Sequence, residues 1–319
     1  MRRSYFPGMQ LRAVAYEVHG AKIGVVPDVL EMTVTTPMGK TPTLSMTYAP
    51  GPKAVRGGVL EREVEVAIEA TFDGNTWEEL PDARFVTQKT EHNLVNDGTH
   101  SRKVEAIHVS DYLKEALVWS VPEVAKDKDG KYKFLSRNAG TIISTIWGNA
   151  TKRGWGPGLT LDANIAKDSA GQDWEKVVTL HFDPTITLLQ IVDSLRSLGM
   201  IDTVWQGRTL KVYNADKTQA RDLTESKRWP LATSLAGAPE VRTWSDMCTD
   251  VLVKGEGGLT WLIHNDLAPR SMRRVEKVVE AGGVELETTA RMVAEATLKS
   301  GAHVSEEIKR EWVAADVHL

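Results

Sequence analysis

The sequence has a single cysteine, Cys248, which excludes an intrachain disulfide framework and a zinc centre built from several thiolates. Its simplest role is that of a small buried apolar residue. No stretch approaches the about 20 apolar residues that a membrane span requires, and the opening MRRSYFPGMQ lacks the apolar core of a secretory signal. A chain that is cytosolic when made is the expectation. An excess of positive charge is also missing. With 39 Lys and Arg against 43 Asp and Glu, the net charge of −4 leaves no electrostatic footprint for wrapping nucleic acid or docking on anionic lipid. Phenylalanine is scarce, at 5 against 10 tryptophans. Tryptophan is favoured where a ring is partly buried and its N–H needs a partner, as at subunit interfaces, although ordinary core positions account for most such rings.

Catalytic signatures are missing as well. The eight histidines, His19, His92, His100, His108, His181, His264, His303 and His318, never form HExxH, and no pair has close ligand spacing on a helix. A calcium loop begun at Asp127 would need a glutamate where Asn138 stands. The glycine clusters GEGG (255–258) and GWGPG (154–158) carry neither a Walker ending nor a GxGxxG spacing, so they read as turns. There is no GxSxG elbow, and Cys248 has no nucleophile signature around it. Acidic pairs such as Glu78 with Glu79, or Asp162 with Asp173, are better read as solvated carboxylates than as a glycosidase dyad. The expectation is a protein that is not an enzyme and holds no cofactor or metal.

What is present is β patterning. Over residues 60–72, Val64, Val66, Ile68, Ala70 and Phe72 alternate with Glu61, Glu63, Glu65 and Glu69, the pattern of a half-buried strand with one acidic face. It stops at the turn Asp73-Gly74-Asn75, and residues 83–89 can return as its partner. Residues 30–36 and 102–109 supply further strands, and the Pro/Gly-rich stretch 42–58 reads as a long loop. Short strands with turn punctuation suggest a barrel or sandwich.

The middle of the chain changes character. After a charged loop at 126–133, Ile142, Ile143, Ile146, Trp147 and Ala150 make one helical stripe behind a Ser136 or Asn138 cap. A second helix is expected to open at Asp183-Pro184 and run to Leu198, with Gly199 as its C-cap. Strands at 177–182, 202–206 and 208–213 flank it. Beyond Asp222 a hairpin (250–255 and 258–264), a strand (273–280), a helix (286–300) and a final segment at 304–314, strand or helix, follow. The fold class is mainly β with an α+β insert.

The stretches LEREVEVAIEATFDGNTW, SRNAGTIISTIW, LHFDPTITLLQIVDSLRSLGMIDTVWQGRTLKVYN and VLVKGEGGLTWLIHN resemble minor tail proteins of actinobacteriophage siphoviruses, a group similar to the tail-hub proteins of tailed phages. The resemblance covers nearly the whole chain in order. It implies two tube-like β-barrel domains, at 1–120 and 222–319, flanking the α+β insert at 121–221. The family's second barrel usually continues beyond the position of Leu319, so that barrel is either incomplete here or completed by a neighbour. The implied role is a homotrimeric hub in the virion tail tip, assembled in the host cytoplasm and surrounding the DNA exit channel. Its implied partners are a distal tail protein or tail-tube ring, other tip proteins and the tape measure protein, with DNA only in transit. An acidic wall would repel passing phosphate, which makes Glu61, Glu63, Glu65 and Glu69 candidate lumen-facing residues. The competing readings are a tail-tip cell-wall hydrolase and a carbohydrate or receptor binder using exposed tryptophans such as Trp155 or Trp261.

Overall fold

The computed structural model describes residues 10–36, 41–49, 60, 63–71, 74–94, 100–118, 121–215, 235–237, 240–243, 248–265, 275–301, 305–308 and 311–312. The chain is mainly β, as expected. Strands β1 (Gln10–Tyr16), β2 (Lys22–Val25), β3 (Val29–Thr35), β4 (Thr43–Tyr48), β5 (Glu65–Thr71), β6 (Glu78–Leu94) and β7 (His100–His108) form one sheet in the order β2-β1-β5-β6-β7-β4-β3. Every pairing in it is antiparallel. Ala13 and Ala15 at one end and Leu44 and Met46 at the other share a core with Phe85, Val104 and Ala106, so the sheet curls over its own apolar face. Among the described residues no sheet closes into a barrel; here β2 and β3 remain separate edges.

Strand β4 corrects the expected loop at 42–58. Its sequence TLSMTY alternates, with Leu44, Met46 and Tyr48 buried, and it sits between β3 and β7 inside the sheet. Burying side chains such as Leu44 and Met46 is worth about 1.5–3 kcal/mol each, enough to draw the segment into the sheet despite the flanking prolines. Strand β5 departs from its expected half-exposed form, since all seven residues are buried. Its Val/Ile face meets the sheet's own core, and its second face is covered as well.

A 3-10 turn at Val109–Lys114 leads into the second unit. Strand β8 (Tyr132–Asn138) pairs with β10 (Val177–Phe182), while β9 (Thr160–Asp162) runs parallel to β12 (Thr209–Asn214), itself antiparallel to β11 (Ile201–Gln206). Helix α1 (Ala139–Lys152) is capped by Asn138, whose side chain accepts from the Thr141 N–H at 2.7 Å, and it buries the predicted stripe. Ser136, the other expected cap, lies within β8. Helix α2 (Leu188–Ser197) starts later than expected. Asp183 is tied up in a tight turn, accepting from the Thr185 N–H at 2.9 Å, and the backbones of Ile186 and Leu188 bond to residues 116–118. Thr187 and Gln190 then form a capping box that opens the helix.

In the C-terminal part, β15 (Asp250–Lys254) and β16 (Thr260–His264) form the predicted hairpin, and β17 (Glu276–Glu280) runs parallel to β15. Helix α3 (Glu287–Gly301) follows. The expected final segment contains two short strands, β18 (Ser305–Ile308) and β19 (Glu311–Trp312), paired with β14 (Glu240–Thr243) and β13 (Leu235–Gly237). Arg273, Arg274 and Phe72, expected in strands, lie outside the described residues. Cys248, Val251, Val253, Val284, Ala290 and Val293 pack in the same cluster as Val109, Ile142, Ile143, Leu188 and Leu210. One apolar core thus runs across the expected boundary between residues 221 and 222. No helix among the described residues is long and apolar enough to cross a membrane.

Candidate functional site: a buried charged joint between the two cores

The second face of β5 carries Glu65 and Glu69, which the sequence places on an exposed acidic face, the candidate lumen wall. The structure puts them inside. Glu65 is fully buried and Glu69 is 5% exposed, whereas Glu63 is exposed and Glu61 lies outside the described residues. Buried carboxylates survive only with partners, and both have them. Glu69 accepts from Arg12 Nε at 2.8 Å and Nη2 at 2.5 Å, from Tyr16 Oη at 3.0 Å and from Lys22 Nζ at 3.2 Å. Burial works against this carboxylate, but the bonds from Arg12, Tyr16 and Lys22 outweigh it and hold its pKa below the usual range. Burial, reinforced by the bond to Glu69, pushes the Tyr16 phenol up to about 12.

Glu65 takes one bond from Arg84 Nη1 at 3.1 Å and others from Tyr112 Oη at 3.1 Å and from Arg208 Nη1. Arg84 makes a fork on Glu79, with Nε at 2.9 Å and Nη2 at 2.5 Å, and its guanidinium lies 3.8 Å from the Tyr16 ring centroid. Burial first, and the Glu65 charge second, push the Tyr112 phenol well up, so it stays a donor. Three carboxylates therefore meet four cations, Arg12, Lys22, Arg84 and Arg208. The electrostatics are those of a closed network rather than of a wall that repels phosphate.

Arg208 is the residue that makes this network a joint. It stands in the turn between β11 and β12, in the second unit, and reaches Glu65 in the first. Its guanidinium also donates to the carbonyl oxygens of Val18 at 2.8 Å, Pro157 at 2.6 Å and Gly158 at 3.2 Å. The loops close so tightly that a Cβ on Gly20, at φ +94°, would lie 2.9 Å from Arg208 Cδ, and one on Gly158, at φ +76°, 3.0 Å from the His19 carbonyl. Only glycine fits both backbones. Beside it, Asp82 accepts from the Trp205 N–H at 2.8 Å, and the His108 ring sits edge-on between Phe85 and Trp205.

Chemically, this arrangement joins segments. Both oxygens of Glu65 and both of Glu69 are engaged. The sequence pattern singles out Glu65 and Glu69 but not Arg12, Tyr16, Arg84, Tyr112 or Arg208. The available signal was a pair of arginines on predicted strands of different regions, Arg84 in 83–89 and Arg208 in 208–213, and nothing in the sequence shows that both reach Glu65. Of the other residues weighed, Glu79 belongs to the network, while Asp173 pairs with Lys167 at 2.8 Å. Trp155 is no open sugar platform, since it donates to the Tyr112 carbonyl at 3.1 Å and packs edge-on against Trp147. Trp261 likewise packs on the second core. Cys248 is buried, which pushes its thiol pKa up.

No protein-family profile matches the sequence, and no curated protein matches it. Solved structures do. A tail protein from Neisseria meningitidis superposes with a TM-score of 0.51 at 10% identity, covering 90% of this chain and 75% of that one. A prophage tail protein from Listeria monocytogenes follows at 0.48 and 12% identity, covering 84% and 72%. A 43 kDa prophage tail protein from Shewanella oneidensis gives 0.45 and 10%, covering 92% and 74%. The chain shares the fold of the Neisseria tail protein.

Proposed function

We propose that this chain is a structural subunit of a phage tail, a homotrimeric hub at the tail tip that joins the tube to distal tip proteins and encircles the DNA exit channel. On this reading it is not an enzyme. The observation that carries the proposal is the fold likeness to a tail protein over nine-tenths of the chain. The form of the first sheet is consistent with it. The outer strands β2 and β3 offer backbone edges and carry the half-exposed apolar residues Val25, at 49%, Leu30, at 59%, and Val34, at 41%. Two different edges on one sheet suit a head-to-tail contact, the kind that closes into a ring. The lumen wall on this reading must come from residues other than Glu65 and Glu69. Native mass spectrometry of the purified chain, alone and with candidate neighbouring tail proteins, tests the proposal: a trimer supports it, and a chain that stays monomeric with every neighbour counts against it.

A further inference from the structure

His181, on β10, is held between two carboxylates from different parts of the chain. Its side chain is only 4% exposed. On one side Nδ1 lies 2.7 Å from Asp127 Oδ2. Asp127 is fixed in its turn, because its Oδ1 accepts from the Asp129 and Lys131 N–H groups, both at 2.9 Å. A carboxylate cannot donate, so Nδ1 carries the proton and the neutral ring leaves Nε2 as a bare acceptor. Nε2 is buried, has no hydrogen-bond partner, and lies 3.7 Å from Glu285 Oε1. Glu285 stands in the segment leading into α3, and Lys133 Nζ, on the strand paired with β10, is 3.7 Å from its other oxygen. The adjoining turn presses in closely, with Gly283 against the His181 backbone.

In this geometry the neutral ring turns a lone pair towards a carboxylate, and protonation at Nε2 converts that contact into a charge-assisted hydrogen bond. We propose that His181 is a proton-operated latch, which on acidification closes on Glu285 and fastens the lead-in to α3 onto the β8–β10 sheet. The charged groups facing it are Asp127, Lys133 and Glu285. With Nδ1–H committed to Asp127, only a ring that also carries a proton on Nε2 can donate to Glu285, so the fastening belongs to the protonated ring and is lost when that proton leaves. The inference does not depend on the tail-hub reading.

The test combines two measurements on the full chain. Nitrogen-detected imidazole NMR should show His181 with its proton on Nδ1 at high pH and protonation at Nε2 on acidification. Hydrogen exchange, corrected for intrinsic rates, should show severalfold greater protection of amides 283–287 at mildly acid than at mildly alkaline pH. Glu285→Ala, which leaves neither donor nor acceptor facing Nε2, should remove that gain while leaving alkaline protection unchanged, and His181→Gln should make the segment indifferent to pH. A proton on Nε2 at high pH, or an equal gain in Glu285→Ala, would overturn the latch.

Discussion

Arg208 and His108 both sit where the first sheet meets the second unit, one as a largely buried charge and one as a buried neutral ring. Removing Arg208 leaves Glu65 buried with half of its guanidinium support, so Arg208→Ala should cost about 3–5 kcal/mol in urea unfolding. Replacing both partners by apolar residues, Glu65→Leu with Arg208→Met, should cost less than Arg208→Ala alone, because no buried charge is left stranded. A double substitution as damaging as the single one would show that the joint acts through packing alone. His108 makes a different prediction. Burial pushes its pKa from 6.5 down to about 4, so between those values the unfolded chain binds a proton that the folded chain refuses. Stability should therefore fall as pH drops through that window, by up to roughly 3 kcal/mol from this residue. His108→Leu should flatten the slope of unfolding free energy against pH, whatever it does to the absolute value. Neither residue announced itself in the sequence. An arginine in a tight turn and a histidine at a strand end look like surface residues until a distant segment is folded over them.

At the scale of elements, helices and strands with a clean period were legible. The Ile142, Ile143, Ile146 and Trp147 stripe, the Asn138 cap and the β15–β16 hairpin all lie where periodicity and turn residues put them. The misreadings have local causes. Prolines around TLSMTY hid β4, whose three buried residues are too few to stand out without the sheet. An Asp-Pro pair mimicked a helix start, although the backbone there bonds to residues 116–118. The corrected start can be checked: Thr187→Ala should destabilise the chain by about 1 kcal/mol, whereas Pro184→Ala should leave the helix start unchanged. Circular dichroism through a urea titration distinguishes the two. The Glu/Val alternation of β5 marks a strand, but one buried on both faces rather than half-exposed. Alternating charge signals a solvated face only when neither the adjoining strands nor a covering segment supplies cations, and here Arg12 on β1, Arg84 on β6 and Arg208 from the second unit supply them. The edges offer a further test. Leu30→Lys with Val34→Lys should leave the melting temperature nearly unchanged, since both side chains are largely exposed, yet abolish assembly if β3 is a contact edge.

For the whole molecule, the joint and the shared second core give the proposed role its physical basis. A ring at the end of a tube must hold its parts at fixed angles while its neighbours bind. Here the angle between the curled sheet and the α+β unit is set by Arg208, by the Asp82–Trp205 bond and by close-packed loops whose glycines Gly20 and Gly158 take positive φ. The fold class could be read from the sequence because strand and helix periods are local properties. The number of copies could not, because it depends on contacts beyond one chain. Cryo-electron microscopy of intact particles, locating and counting this chain, tests the central claim most directly. Three copies in a ring at the distal end of the tail tube are the predicted result, and six copies repeating along the tube would contradict it.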